Sequence, residues 1–173
     1  IIQFLGILYF NTNKVLGIVP FYKLPTKEFF KKNGSALGRN AYQLIYFGQF
    51  KEGLRLAKLA ISINPKDENL WVVLAEAQIN NKLYDEGLES IKEGKNINPK
   101  MGELYFAESS IYLQQKKNQA AKNSLSKGLQ FLPENTTAIF QLGNIFLLEK
   151  NYEKALENYN EAIKIKSDFW QAI

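Results

Sequence analysis

The sequence contains no cysteine and no histidine. Disulfides, thiolate nucleophiles, Ser-His-Asp triads and His/Cys zinc sites are therefore excluded. Its two N-terminal apolar runs, 1–10 and 15–22, are both shorter than the roughly 18–20 residues that span a bilayer. Carboxylates such as Asp85 and Glu89 follow helical spacing with no His or Cys beside them, as on a solvated helix face. We predict a non-enzymatic protein with no catalytic residue, no metal and no cofactor.

The charge of the chain is unevenly distributed. Hydrophobic residues make up 46% and charged residues 23%, which is an ordinary balance for a folded protein. The net charge is +5, but residues 1–66 alone carry +8 and the remainder carries −3. A basic end suggests an anionic neighbour, either lipid headgroups or nucleic acid, whereas the alternative is a set of solvated lysines.

Three prolines divide the sequence into equal lengths. Pro65, Pro99 and Pro133 are separated by 34 residues each, and an amphipathic stretch precedes every one of them. Proline has no N–H and disfavours helical geometry in the preceding residue. Each proline should therefore end a helix and turn the chain.

Other positions repeat in the same register. Large apolar residues lie 28 residues before the proline position, at Leu37, Trp71, Tyr105 and Ile139. Small residues lie 24, 12 and five residues before it, in three columns: Ala41, Ala75, Ser109 and Gly143; Gly53, Gly87, Ala121 and Ala155; Ala60, Gly94, Gly128 and Ala162. Columns of small residues predict that paired helix backbones approach each other closely.

This 34-residue pattern resembles the tetratricopeptide repeat (TPR), in which each unit is two antiparallel helices. The fourth unit matches best, with Gln141-Leu142-Gly143-Asn144 and then Tyr152-Glu153-Lys154-Ala155-Leu156, although Ser167 stands at its proline position. The resemblance implies an all-α fold, a right-handed α-solenoid of about four repeats with an N-terminal extension and the start of a fifth repeat.

The repeat register gives the domain boundaries. We expect an apolar and basic extension at 1–33, repeats at 34–67, 68–101, 102–135 and 136–169, and the start of a fifth repeat at 170–173. The paired helices should lie near 35–47 and 51–64, 69–82 and 85–98, 103–116 and 119–132, and 137–150 and 153–166. Because the last repeat has no closing polar helix, we expect the chain to continue or to self-associate through an apolar stripe of Ala155, Leu156, Tyr159 and Ile163.

The resemblance also implies a binding groove, lined mainly by the first helix of each repeat. The predicted peptide-binding residues are Arg39, Tyr42, Asn69, Val72, Val73, Glu76, Glu103, Phe106, Ser110, Thr137, Phe140, Gln141 and Asn144. Ser35, Gly38 and Ala107 also point inward, whereas Ile45, Ile79, Leu113 and Leu147 lie deeper and are assigned to the core. The basic pair with which some members clamp a terminal carboxylate is absent. A segment with apolar anchors would fit Tyr42, Val72, Phe106 and Phe140 instead.

Residues 1–33 have three alternative interpretations. They are the end of an upstream anchor or export signal, a cap on the first repeat, or a segment bound in the groove. The amphipathic basic stretch Thr26–Lys32 suits an anionic membrane surface, and lysine-rich flanks favour the cytoplasmic side of that membrane.

A narrower resemblance concerns lineage. Leu24-Pro25-Thr26-Lys27-Glu28-Phe29-Phe30 and Asp168-Phe169-Trp170-Gln171-Ala172-Ile173 resemble TPR proteins of cyanobacteria and plastids with a membrane-proximal N-terminus. That resemblance implies a thylakoid or plasma membrane location and a role in complex assembly. The leading hypothesis is thus a scaffold that binds an extended or helical protein segment. The alternative is a nucleic-acid-binding helical repeat protein that uses its basic N-terminal end.

Overall fold

The computed structural model describes residues 33–166, so residues 1–32 of the predicted extension and the predicted fifth repeat lie outside the described residues. Within this range the chain is all-α, and its helices are α1 (Gly34–Tyr46), α2 (Phe50–Ile63), α3 (Glu68–Asn80), α4 (Tyr84–Ile97), α5 (Gly102–Gln114), α6 (Asn118–Phe131), α7 (Thr136–Leu148) and α8 (Tyr152–Ile165). Every predicted helix is confirmed, with its ends displaced by one or two residues.

None of these eight helices is long and apolar enough to cross a bilayer. They form two compact units, which we call unit 1 (α1–α4) and unit 2 (α5–α8).

The turn inside each helix pair has the same backbone geometry. Gly48 N–H donates to the carbonyl of Ile45 at 2.9 Å, and Gln49 N–H donates to the carbonyl of Leu44 at 2.8 Å. This pair of bonds is the Schellman motif, which places its central residue at positive φ. The same two bonds recur in the other three turns. Their central residues are Gly48, Lys82, Lys116 and Lys150, with φ of 76°, 61°, 58° and 59°.

Two aromatic residues of the column of large residues close the turns that follow Pro65 and Pro99. In unit 1 Trp71 Nε1 donates to the carbonyl of Pro65 at 2.9 Å. In unit 2 Tyr105 Oη donates to the carbonyl of Pro99 at 2.8 Å. An aromatic residue with a polar edge can bury its ring while satisfying a turn carbonyl, which an aliphatic residue in this column cannot do.

The small residues lie at the contacts between paired helices, as predicted. All twelve of them are buried. In unit 1 a Cβ added to Gly53 would lie 2.8 Å from Ile45 Cγ1 and 3.2 Å from the carbonyl oxygen of Ala41. In unit 2 a Cβ on Gly128 would lie 2.7 Å from Phe106 Cδ1 and 3.1 Å from the Gly102 carbonyl oxygen. The missing side chains therefore let neighbouring side chains pack directly on the backbone.

Two expectations about unit 2 are wrong. Leu147, which we assigned to the core, is 46% exposed. Its counterpart Ile45 is buried and packs over Gly53. Ala155 is only 2% exposed, so it does not belong to an exposed stripe, although Leu156 is 60% exposed.

The contact at Gly128 yields a test of the packing. We expect Gly128→Ala to lower the free energy of unfolding by about 1–2 kcal/mol, because overpacking against Phe106 outweighs the better helix propensity of alanine. Chemical denaturation measures this difference. Ser126→Ala, at an exposed position of the same helix, is the control and should change stability little. Equal stability of Gly128→Ala and the parent chain would contradict the close contact.

The lysines at positive φ yield a second test. We expect Lys116→Gly to raise the free energy of unfolding by about 0.5–1 kcal/mol, because glycine adopts this backbone conformation without the steric cost that a Cβ imposes. Lys127→Gly, inside α6, should lower it by about 1 kcal/mol. A loss of stability in both variants would argue against a strained turn.

Candidate functional site

The first helices of both pairs in unit 1 line a surface cavity of about 500 Å³ that is open to solvent. Four predicted groove residues line it, namely Arg39 and Tyr42 from α1 and Asn69 and Val73 from α3. Ser35 and Gly38, which were also expected to point inward, lie in the same wall. The structure thus brings these six positions, all predicted to point inward, together around one cavity. We call it the unit 1 cavity.

Asp67 organises the polar side of the unit 1 cavity. It is the N-cap of α3, and its Oδ1 accepts from Asn69 N and from Asn69 Nδ2, both at 3.1 Å. Its Oδ2 accepts from Ser35 Oγ at 2.8 Å, which ties the start of α1 to the start of α3. A carboxylate at a helix N-terminus is also stabilised by the helix dipole. Asp67 therefore holds the wall together.

Arg39 and Tyr42 give the cavity its accessible chemistry. Arg39 is exposed and forms no ion pair with another residue of 33–166. Tyr42 is 50% exposed, so half of its ring is available for contact. The wall opposite contains Leu70 and Val73, which belong to the hydrophobic core of unit 1 or pack against it. The cavity thus combines an apolar floor with one guanidinium group.

The other two predicted residues of unit 1 are not among those that line the cavity. Val72 and Glu76 are both half-buried on α3. Burial raises the pKa of the Glu76 carboxyl above its ordinary value of 4.5. Removing a carboxylate from water penalises its charged form. Glu76 therefore lowers the free energy of unfolding at any pH at which its carboxyl is ionised.

In unit 2 several predicted groove residues contact their own helix pair. The Phe106 ring packs over Gly128, and the Phe140 ring lies 5.5 Å from that of Tyr159, between centroids. Asn144 Oδ1 accepts from Tyr159 Oη at 2.8 Å, and burial raises the pKa of Tyr159, which keeps its hydroxyl a donor. Much of this surface is therefore used by the fold.

The remaining unit 2 positions differ in exposure. Ser110 is half-buried and its Oγ donates to the carbonyl of Phe106 at 3.0 Å. Gln141 is also half-buried, whereas Glu103 and Thr137 are exposed. The accessible groups on this side are thus a carboxylate and a hydroxyl.

Sequence reasoning missed Asp67, Gln43 and Leu70 as lining residues, and Tyr159 as a support of the unit 2 surface. An available signal for Asp67 was its place directly before a predicted helix, where aspartate is a favoured N-cap. Gln43 and Tyr159 carry no such local signal, since their roles depend on contacts between helices.

Comparison with known proteins places this fold among helical repeat proteins, in the solenoid class expected from the sequence. Two family models described as tetratricopeptide repeat match residues 102–135 and 137–169. Each of these two segments of the chain is thus a tetratricopeptide repeat. Comparison with curated proteins gives no match.

Solved structures of low sequence identity share the fold. TTC0263, a thermophilic TPR protein of Thermus thermophilus, aligns with TM-score 0.74 and 18% identity over 84% of this chain and 82% of its own. YrrB, a TPR protein with an unusual peptide-binding site, aligns with TM-score 0.64 and 18% identity over 99% and 82%. MamA aligns with TM-score 0.63 and 22% identity over 76% and 77%. At these identities the likeness shows a shared fold, and the tetratricopeptide repeats of residues 102–135 and 137–169 are of the kind that protein–protein interaction scaffolds contain.

The buried carboxyl of Glu76 predicts a pH-dependent stability. Its raised pKa means that its contribution is most favourable below pH 4.5 and is lost as the pH rises through the folded-state value. We therefore expect Glu76→Gln to stabilise the protein at pH 7 and to have a much smaller effect at pH 4, measured by urea unfolding. Glu93→Gln, at an exposed position, is the control. A stabilisation that is the same at both pH values would contradict this origin.

Proposed function

We propose that the chain captures an extended or helical protein segment, and that the unit 1 cavity holds one apolar side chain of that segment. The observation that carries this proposal is the convergence of Arg39, Tyr42, Asn69 and Val73 on one cavity of about 500 Å³. A space of that size suits a side chain and its flanking backbone. The peptide-binding site for which YrrB is described supports a similar use of this fold here.

The chemistry of the cavity defines the segment further. Leu70, Val73 and the exposed half of Tyr42 offer an apolar contact, so the anchor is a large aliphatic or aromatic side chain. Arg39 has no acidic partner among residues 33–166, so an acidic residue beside the anchor would complete an ion pair. Asp67 already accepts three hydrogen bonds and acts as a wall rather than as a recognition group.

The wider role that we propose is assistance in assembling a protein complex next to a membrane. It rests on the basic, apolar residues 1–33 and on their resemblance to membrane-proximal TPR proteins. Self-association is a further proposal, supported by the exposed Leu156 on α8.

Panning a random peptide phage library on the full chain tests the cavity. We expect enriched peptides with a large apolar residue next to Asp or Glu. We expect Tyr42→Ala to weaken a selected peptide by about 5- to 30-fold, because truncating a central aromatic contact costs roughly 1–2 kcal/mol. Arg39→Ala should weaken acidic peptides selectively. Isothermal titration calorimetry measures both effects.

Tyr46→Ala is the matched control, since Tyr46 is also exposed on α1 but is not one of the residues that line the cavity. Circular dichroism checks that all variants keep their helices. Peptides that bind the parent chain and Tyr42→Ala equally, but lose affinity for Tyr46→Ala, would move the binding site away from the cavity.

A further inference from the structure

The turns inside the two helix pairs of unit 2 lie side by side. Lys122 Nζ in α6 donates to both carboxylate oxygens of Glu149, which directly follows α7, at 2.7 and 2.8 Å. This contact joins the beginning of α6 to the turn between α7 and α8. We call the resulting surface the turn edge, which consists of Lys116, Lys117, Leu147, Leu148, Lys150 and Tyr152.

The turn edge exposes large apolar side chains. Leu148 is 68% exposed, Tyr152 is 65% exposed and Leu147 is 46% exposed. Single exposed apolar residues are ordinary on a protein surface, but several at one turn mark a contact surface. Two of the three are aliphatic.

The same edge carries three lysines. Lys116, Lys117 and Lys150 are exposed, and none of them forms an ion pair within the described part of the chain. Glu149 is neutralised by Lys122. Glu153, exposed in the first turn of α8, opposes the three lysines, so the edge keeps a positive balance.

Two of these lysines occupy positions that favour glycine. Lys116 and Lys150 have φ of 58° and 59°, whereas the first turn of unit 1 has Gly48 at the equivalent place. A lysine at positive φ costs stability, and a strained residue that is kept at the surface suggests a role for its side chain. These two turns therefore present an exposed lysine at a position where glycine would fit without steric cost.

Unit 1 independently has the same combination of groups. Asn81 Nδ2 donates to the carbonyl of Phe50 at 2.9 Å, which joins its two turns. Phe47 and Tyr46 are 70% and 78% exposed there, and Lys82 has φ of 61°. Exposed apolar residues beside a lysine at positive φ thus occur in both units.

We propose that the turn edge docks on an anionic lipid bilayer. Leucine and tyrosine side chains partition into the boundary between headgroups and acyl chains, while lysine stems lie along it and place their ammonium groups among the anionic headgroups. A nucleic acid would stack successive bases on several planar rings, whereas the turn edge has one ring, that of Tyr152, beside the aliphatic Leu147 and Leu148. This proposal uses a surface separate from the unit 1 cavity and does not depend on the proposed function.

Vesicle flotation of the full chain tests the proposal, with vesicles of phosphatidylcholine alone and of phosphatidylcholine containing about one third phosphatidylglycerol. The variant is Lys116→Gly/Lys150→Gly, which removes two charges while relieving the strained backbone. We expect its binding to the anionic vesicles to fall by roughly 20- to 30-fold, since each lysine near such a surface contributes about fivefold, or 1 kcal/mol. Leu148→Gln/Tyr152→Gln should also reduce binding.

The matched control is Lys100→Ala/Lys127→Ala, which removes the same charge from residues that lie just before α5 and near the end of α6, away from the turn edge. This control should bind the anionic vesicles like the parent chain. Equal losses in the two lysine pairs, or no loss in either, would overturn the proposal. A variant that keeps vesicle binding but loses retention of a single-stranded RNA oligonucleotide would assign the edge to nucleic acid instead.

Discussion

The close approach of paired helix backbones is the constraint on which the rest of each unit depends. Ala41 and Ala60 in unit 1, and Ala121 and Ala162 in unit 2, have no exposed surface. At such contacts the atoms that fill the space come from neighbouring side chains, as Phe106 does over Gly128. An added methyl group has no room to relax where a backbone carbonyl lies on its other side. The spacing of the helices, and hence the position of every exposed residue, follows from these columns.

Sequence periodicity predicts helices well here because its signals are local and repeated. A large residue and three small residues in each 34-residue period, with proline in the first three periods, indicate where helices end and which faces meet. The unit 1 cavity follows from the same arithmetic, since Arg39 and Tyr42 lie one turn apart on α1, and Asn69 and Val73 lie one turn apart on α3. A periodic pattern can therefore predict which way a side chain points.

Periodicity cannot predict which residues of a neighbouring helix a side chain contacts. Phe106 and Phe140 were expected to contact the apolar anchors of a bound segment, and the structure adds contacts within unit 2, where Phe106 packs on Gly128 and Phe140 on Tyr159. Leu147 was expected to be buried like Ile45, but it is 46% exposed. The contacts of the two phenylalanines depend on residues of a neighbouring helix, 19 and 22 positions further along the chain, which the repeat pattern does not identify.

In the turn inside each helix pair, the backbone hydrogen bonds and the exposed side chain are subject to different requirements. Each Schellman turn is held by backbone hydrogen bonds, so the residue at its centre needs only to tolerate positive φ. Glycine meets that requirement at Gly48 without strain, and lysine meets it at Lys82, Lys116 and Lys150 with a modest cost. Because the bonds do not involve the side chain, the fold itself gives no reason to prefer lysine. At three turns a lysine costs some stability and its side chain is exposed to solvent. We therefore attribute the presence of lysine at these turns to a contact outside the chain.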